Sequence, residues 1–146
     1  MRVKILFAVL LTAGMVTLAC QSKLAQPNGA GASGVRIQVD GGSYIDISAG
    51  QLNTMLKSKN FFLVNVHVPY DGEIAQTDAF IPYDKIEENL GKLPAAKDAR
   101  IVLYCRSGSM SAIAARTLVR LGYTSILNLD GGMTAWREAG FNVIRK

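Results

Sequence analysis

The chain has little of several things, and each scarcity narrows what it can be. Its 146 residues include only two cysteines and a single histidine. Two cysteines allow at most one disulfide, and only in an oxidising compartment. Nothing in their spacing marks a zinc site, and no cofactor signature is present. The formal net charge is +5, but the basic residues are scattered rather than gathered into a stripe. That distribution lacks the footprint of a nucleic-acid binder. The length suits one domain with a real core.

What is present begins with an unusual N-terminus. Met1-Arg2-Val3-Lys4 is short and basic, and residues 5–19 are apolar apart from two threonines and a glycine. The run is too short for a spanning helix and reads as a secretory signal. It ends Val16-Thr17-Leu18-Ala19-Cys20. A small residue directly before a cysteine resembles the lipobox of bacterial lipoproteins, although Thr17 stands where that family prefers leucine. The resemblance implies that Cys20 is lipidated, anchoring the protein to a membrane surface outside the cytoplasm, in the periplasm or at the cell surface. Cleavage by an ordinary signal peptidase, giving a secreted soluble protein, is the alternative. Residues 20–34 are rich in Gln, Ser, Asn, Pro, Ala and Gly, the composition of a flexible tether. The domain itself is expected over residues 35–146.

Within the domain, strands and helices alternate. Val35-Arg36-Ile37-Gln38-Val39-Asp40 has the period of a half-exposed strand, Gly41-Gly42 turns, and Tyr44–Ile47 pairs back. Ser48 stands three before Gln51, a capping-box spacing that opens a short helix over Gln51–Lys57. Residues 61–67 form the most apolar strand, as in a parallel sheet covered on both faces. His67 lies at its end. Residues 74–83 look irregular, with Phe80-Ile81-Pro82-Tyr83 extended before the proline. Asp84 and Glu87 repeat the capping-box spacing before a short helix over residues 85–90. A strand over 100–103, an alanine-rich helix over 111–121, a strand over 125–129, the turn Asp130-Gly131-Gly132, a helix over 133–139 and an extended piece over 141–144 complete the chain. Trp136 is expected to anchor the last helix to the core. The alternation predicts an α/β domain with a mainly parallel sheet.

The chemistry concentrates in Tyr104-Cys105-Arg106-Ser107-Gly108-Ser109-Met110-Ser111. A cysteine here sits at a strand tip, before a tight polar loop and a helix N-terminus. Backbone N–H groups of such a loop can converge into an anion nest, and the helix dipole adds its positive end. That setting favours a thiolate and makes it a better nucleophile. Arg106 adds a cation, and the same groups would hold a sulfonate or phosphate. The plainer reading is an inert buried cysteine closing a strand. His67, at the C-terminal edge of a parallel sheet, is either an accessory base or polar contact for the thiol, or a strand-end histidine serving its own loop.

From about Ser48 onward the chain resembles the rhodanese domain family of thiosulfate and related sulfurtransferases. The resemblance rests on Leu63-Val64-Asn65-Val66-His67, Ile81-Pro82 before a short helix, Cys105-Arg106-Ser107-Gly108, and Gly131-Gly132 leading to Trp136 and Gly140. It implies a five-stranded, mainly parallel sheet with helices on both faces. It also implies that Cys105 takes a sulfane sulfur from thiosulfate or a persulfide, and passes it to a thiol or cyanide-like acceptor. Arg106, Ser107, Gly108, Ser109 and Met110 would cradle that sulfur, with Ser111 opening the helix. Two departures stand out. Met110 replaces a residue that is often cationic in the family, and Asn65-Val66-His67 replaces a common Asp-Val-Arg. Two other classes remain open: a non-catalytic binding module tethered to the envelope, and a thiol phosphatase. The latter usually places arginine after five loop residues, where this chain has Ser111.

Overall fold

The computed structural model describes residues 34–145. The expected signal, the Cys20 lipidation site and all of the tether but its last residue lie outside them. The described chain opens with a hairpin. Strand β1 (Val35–Val39) pairs antiparallel with β2 (Gly42–Ile47), in register from Val35↔Asp46 to Val39↔Gly42. Helix α1 (Ala49–Leu56) follows, and its capping box is formed as its sequence predicts. The Ser48 amide donates to Gln51 Oε1 at 2.7 Å, and the Gln51 amide donates to Ser48 Oγ at 3.3 Å. Two otherwise orphaned helix-end donors are thereby satisfied.

The remaining elements are β3 (Phe62–Asn65), β4 (Glu73–Ile74), β5 (Ala79–Phe80), β6 (Ile101–Tyr104), α2 (Ser109–Arg120), β7 (Ile126–Leu129), α3 (Gly132–Glu138) and β8 (Val143–Ile144). The main sheet runs β1-β2-β7-β6-β3-β5. Five of its strands are mutually parallel, as the resemblance implies, and β1 extends them to six as an antiparallel edge. Strands β4 and β8 form a separate antiparallel pair. The segment over residues 74–83, expected to be irregular with an extended end from Phe80, contributes a short pairing strand over Ala79–Phe80 at the sheet edge.

A second difference lies over residues 85–90. The expected helix is two 3-10 turns, Tyr83–Lys85 and Glu87–Lys92, and no side chain caps either of them. Asn89 leaves helical geometry at φ −119° and ψ 23°, and its side-chain amide donates to the Lys85 carbonyl at 2.8 Å. An asparagine offering the backbone another partner, followed by Gly91, breaks a helix too short to propagate. The Asp84 and Glu87 spacing therefore matches the capping motif without forming it.

Helices cover both faces of the sheet. On one face α2 buries Ala114, Ala115, Leu118 and Val119 against Val64, Leu103 and Ile126, joined by Ile81 after β5 and by Ile86 between the two 3-10 turns. On the other, Leu52 of α1 and Met133 and Trp136 of α3 pack on Leu63, Val102 and Leu129. All four residues of β6 and all four of β7 are buried. Each large aliphatic side chain so buried contributes about 1.5–3 kcal/mol. Trp136 anchors α3 as expected: it is buried, stacks near Phe141, and donates from Nε1 to the Asn142 carbonyl at 2.9 Å.

Candidate active site

Cys105 is the first residue beyond the central strand β6, and it is buried. Strand β6 is held between β3 and β7 by parallel ladders, so its C-terminal end is a fixed point at the edge where open α/β sheets place their sites. The thiol sits at the floor of the loop that follows. The Gly108 amide donates to Cys105 Sγ at 3.1 Å. The Ser111 hydroxyl lies 3.5 Å from the same sulfur and 3.0 Å from the Gly108 carbonyl, with one proton to give to either.

The loop can bend this tightly because Gly108 adopts φ 92°, a left-handed conformation that a side chain would strain. Gly108 is also the N-cap of α2, and its carbonyl accepts the amide of Ala112 at 3.0 Å. The first turn of α2 thus starts beside the sulfur. Arg106, Ser107 and Ser109 are exposed around the loop, while Met110 is half-buried and packs on the core beneath α2.

What aims the amides is a second helix. The Met133 amide donates to the Cys105 carbonyl at 2.8 Å, and the Thr134 amide to the Arg106 carbonyl at 2.9 Å. The Thr134 hydroxyl also donates to the Arg106 carbonyl, at 3.0 Å. In a planar trans peptide the C=O and the following N–H point in opposite directions. With both carbonyls tied to α3, the amides of Arg106 and Ser107 are turned away from it. The approach leaves no space at Gly132, where φ is 56° and a Cβ would collide with the Cys105 carbonyl oxygen and with the Arg106 carbonyl carbon. Loop and turn therefore meet backbone to backbone. Sequence reading treated Asp130-Gly131-Gly132 as a turn and a family mark, and missed that it and the α3 amides orient the cysteine loop. The paired glycines were the one available signal.

His67 lies at the same sheet edge. Asn65 and Tyr104 are opposite each other in the β3–β6 ladder, and the Val66 amide donates to the Tyr104 carbonyl at 2.9 Å. The histidine does not join the thiol, however. Its backbone amide donates to Asn65 Oδ1 at 3.0 Å, and its Nδ1 is buried without a hydrogen-bond partner among the described residues. Burial pushes its pKa down. Asp71 opposes that shift, and Arg106 adds to it. Of the residues singled out from sequence, Cys105, Gly108 and Ser111 come into direct contact. Arg106, Ser107, Ser109 and Met110 surround them. His67 stands apart from them at the same edge.

This arrangement has relatives. The family model described as the rhodanese-like domain matches residues 49–139. A protein of Allochromatium vinosum named sulfurtransferase is 36% identical over 91 residues, covering 60% of this chain and 81% of that one. The uncharacterized protein slr1261 of Synechocystis is 32% identical over 104 residues, which is 69% of this chain but 56% of that longer protein. The crystal structure of a rhodanese-related protein from Thermoplasma volcanium superposes with a TM-score of 0.59 at 28% identity, covering 69% of this chain and 98% of the other. Matched over more than half its length, and with the cysteine loop and the double-glycine turn inside the match, the chain belongs to the rhodanese-like domain family.

Proposed function

We propose that the protein is a sulfurtransferase that carries a sulfane sulfur on Cys105. The observation that carries this reading is the 3.1 Å hydrogen bond from the Gly108 amide to the thiol sulfur, at the head of a helix and under a loop whose carbonyls are pulled away. Oriented donors of this kind stabilise a thiolate, and equally the negative charge on a persulfide. The name of the Allochromatium vinosum relative points the same way.

In the first half-reaction the Cys105 thiolate attacks the outer sulfur of the donor. A bond forms between the two sulfurs as the donor's own sulfur bond breaks. The leaving group, sulfite from thiosulfate or a thiolate from an organic persulfide, departs with the electron pair. In the second half an acceptor thiolate attacks the terminal sulfur, and Cys105 leaves as thiolate. No net oxidation occurs and no cofactor is required. The two displacements through a covalent enzyme intermediate are nucleophilic catalysis in the usual sense. Arg106 is the only cation in the loop, and Met110 supplies none. A dianionic donor such as thiosulfate therefore meets a weaker cation field than an arginine at 110 would provide. A singly charged persulfide or polysulfide is the better-matched donor.

Steady-state transfer from a low-molecular-weight persulfide to a thiol tests the reading. Wild type turns over and Cys105→Ala does not, while its far-UV circular dichroism is unchanged. Turnover by the alanine variant at the wild-type rate overturns it. The depth of Cys105, 1% exposed, favours one second reading: a binding module whose sulfur serves only as core. That reading requires wild type and variant to be equally inactive. We also propose that the domain is held at a membrane surface outside the cytoplasm through lipid on Cys20. Incorporation of radiolabelled palmitate into wild type and not into Cys20→Ser is the expected result, and labelling of neither rejects the anchor.

A further inference from the structure

A groove of about 380 Å³ runs between α2 and the 3-10 region. Two routes lead from it toward the active site. The Tyr83 amide donates to the carbonyl of Val66, whose own amide is bonded to Tyr104, the residue before Cys105. Along α2, Ile113 follows Met110 at i+3, so it lies one turn, about 5 Å, further from the loop on the same face. Ile113 gives the groove its apolar surface, and Ile86, buried in the core, lies at its floor. Ile113 is 46% exposed, an uncommon position for a large aliphatic side chain on a helix that otherwise buries its apolar residues.

The walls carry charge of one sign. Asp84, Glu87 and Glu88 line the groove, and no lysine or arginine does. Glu88 pairs with Lys85 at 2.8 Å and Glu87 with Arg120 at 3.4 Å, from outside the lining. All four side chains are about half exposed or more, and pairs of that kind are weak enough for an incoming cation to displace. Asp84 takes part in no ion pair among the described residues. A small anionic thiol gains nothing from such a wall.

We infer that this groove docks the sulfur acceptor, and that the acceptor is a protein segment carrying an apolar side chain between lysines or arginines, with its cysteine reaching the Cys105 loop. The inference rests on the sulfurtransferase reading and names its acceptor class. The apolar side chain covers Ile113, the flanking cations replace Lys85 and Arg120, and the acceptor cysteine lies about one helical turn away. In the transfer step the acceptor thiolate forms a bond to the terminal sulfur of the Cys105 persulfide as the Cys105 sulfur bond breaks. The electron pair returns to Cys105.

Two synthetic peptides test this. Each carries one cysteine and a leucine, flanked by lysines in one and by glutamates in the other. At low ionic strength the kcat/KM for transfer to the lysine peptide is expected to exceed that for the glutamate peptide by about tenfold or more, and the ratio should shrink as salt screens the wall. Asp84→Lys and Ile113→Ser, both surface changes, should each cut the preference at least threefold and leave loading of Cys105 from a small donor unchanged. Docking is also read without chemistry, by fluorescence anisotropy of the lysine peptide with serine in place of cysteine. Binding to wild type that weakens in both variants supports the groove even if Cys105 never loads sulfur, whereas loading without binding rejects the groove and spares the enzyme. Equal transfer to both peptides, or a preference that neither variant alters, overturns the inference.

Discussion

Two loops leave neighbouring parallel strands at the same edge of the sheet, and they are built to opposite plans. The loop after β6 has its first two carbonyls tied to α3, its glycine amide on a sulfur, and its end capped into α2. The loop after β3 starts on backbone bonds at Val66 and is then held by a side chain. Asn65 accepts the His67 amide through Oδ1 and donates from Nδ2 to the Gly72 carbonyl at 2.9 Å. In the first loop the backbone is left with donors to spare, which is what an anion needs. In the second the spare group is the His67 Nδ1, which has no partner among the described residues. The contrast teaches that the donors at this edge come from peptide geometry, and that the His67 imidazole is not among the groups hydrogen-bonded to the thiol.

The strongest way to break the comparison is to spoil the contact that aims the cysteine loop. Gly132→Ala drives a methyl group into the Cys105 carbonyl. It should cost about 3 kcal/mol in chemical denaturation, through overpacking and left-handed strain together. It should also lower transfer activity by far more than Gly140→Ala. Gly140 has a positive φ as well, but open space around it. Equal effects at the two glycines would mean that the contact with α3 does not shape the site.

A smaller effect is expected from adding charge to the loop that has few. Met110→Arg should lower the KM for thiosulfate about tenfold, the worth of one charge-assisted hydrogen bond at its lower limit, and change the KM for a singly charged persulfide much less. An unchanged thiosulfate KM would show that residue 110 does not face the donor.

The smallest effect on catalysis is expected in the other loop. His67→Asn should leave kcat within about twofold, since no hydrogen bond joins the imidazole to the thiol among the described residues and general-base loss typically costs 10²-fold or more. Its signature is in stability. The folded protein holds His67 below its ordinary value of 6.5, so the unfolded chain binds the proton more readily. Wild type should therefore lose stability as pH falls from about 6.5 through the lower folded value, and His67→Asn should lose less over that window. A kcat that collapses in the variant would move His67 into the chemistry.

Much of this was legible in the residues. Ser48 and Gln51 announced a box that forms, because both partners lie within one turn and nothing else competes for them. The same spacing at Asp84 and Glu87 misled, because Asn89 and Gly91 end the helix before a cap can stabilise it. The cysteine loop could be read from strand, glycine and alanine-rich helix taken together. Its outer support could not, since the bonds from Met133 and Thr134 reach across 28 residues and leave no periodic trace in the chain. The position of His67 was ambiguous for a similar reason. The Asn65 side chain, one residue short of adjacent, takes the His67 amide where strand pairing ends.

The claim on which the rest stands is that Cys105 accepts a sulfur and holds it. The most direct measurement is the mass of the Cys105 peptide after the protein meets a persulfide donor and is trapped with an alkylating agent. The expected result is a gain of one sulfur atom on that peptide, absent in Cys105→Ala and reversed by added thiol acceptor. An unchanged peptide, from protein that is folded and alkylates normally without donor, would contradict it.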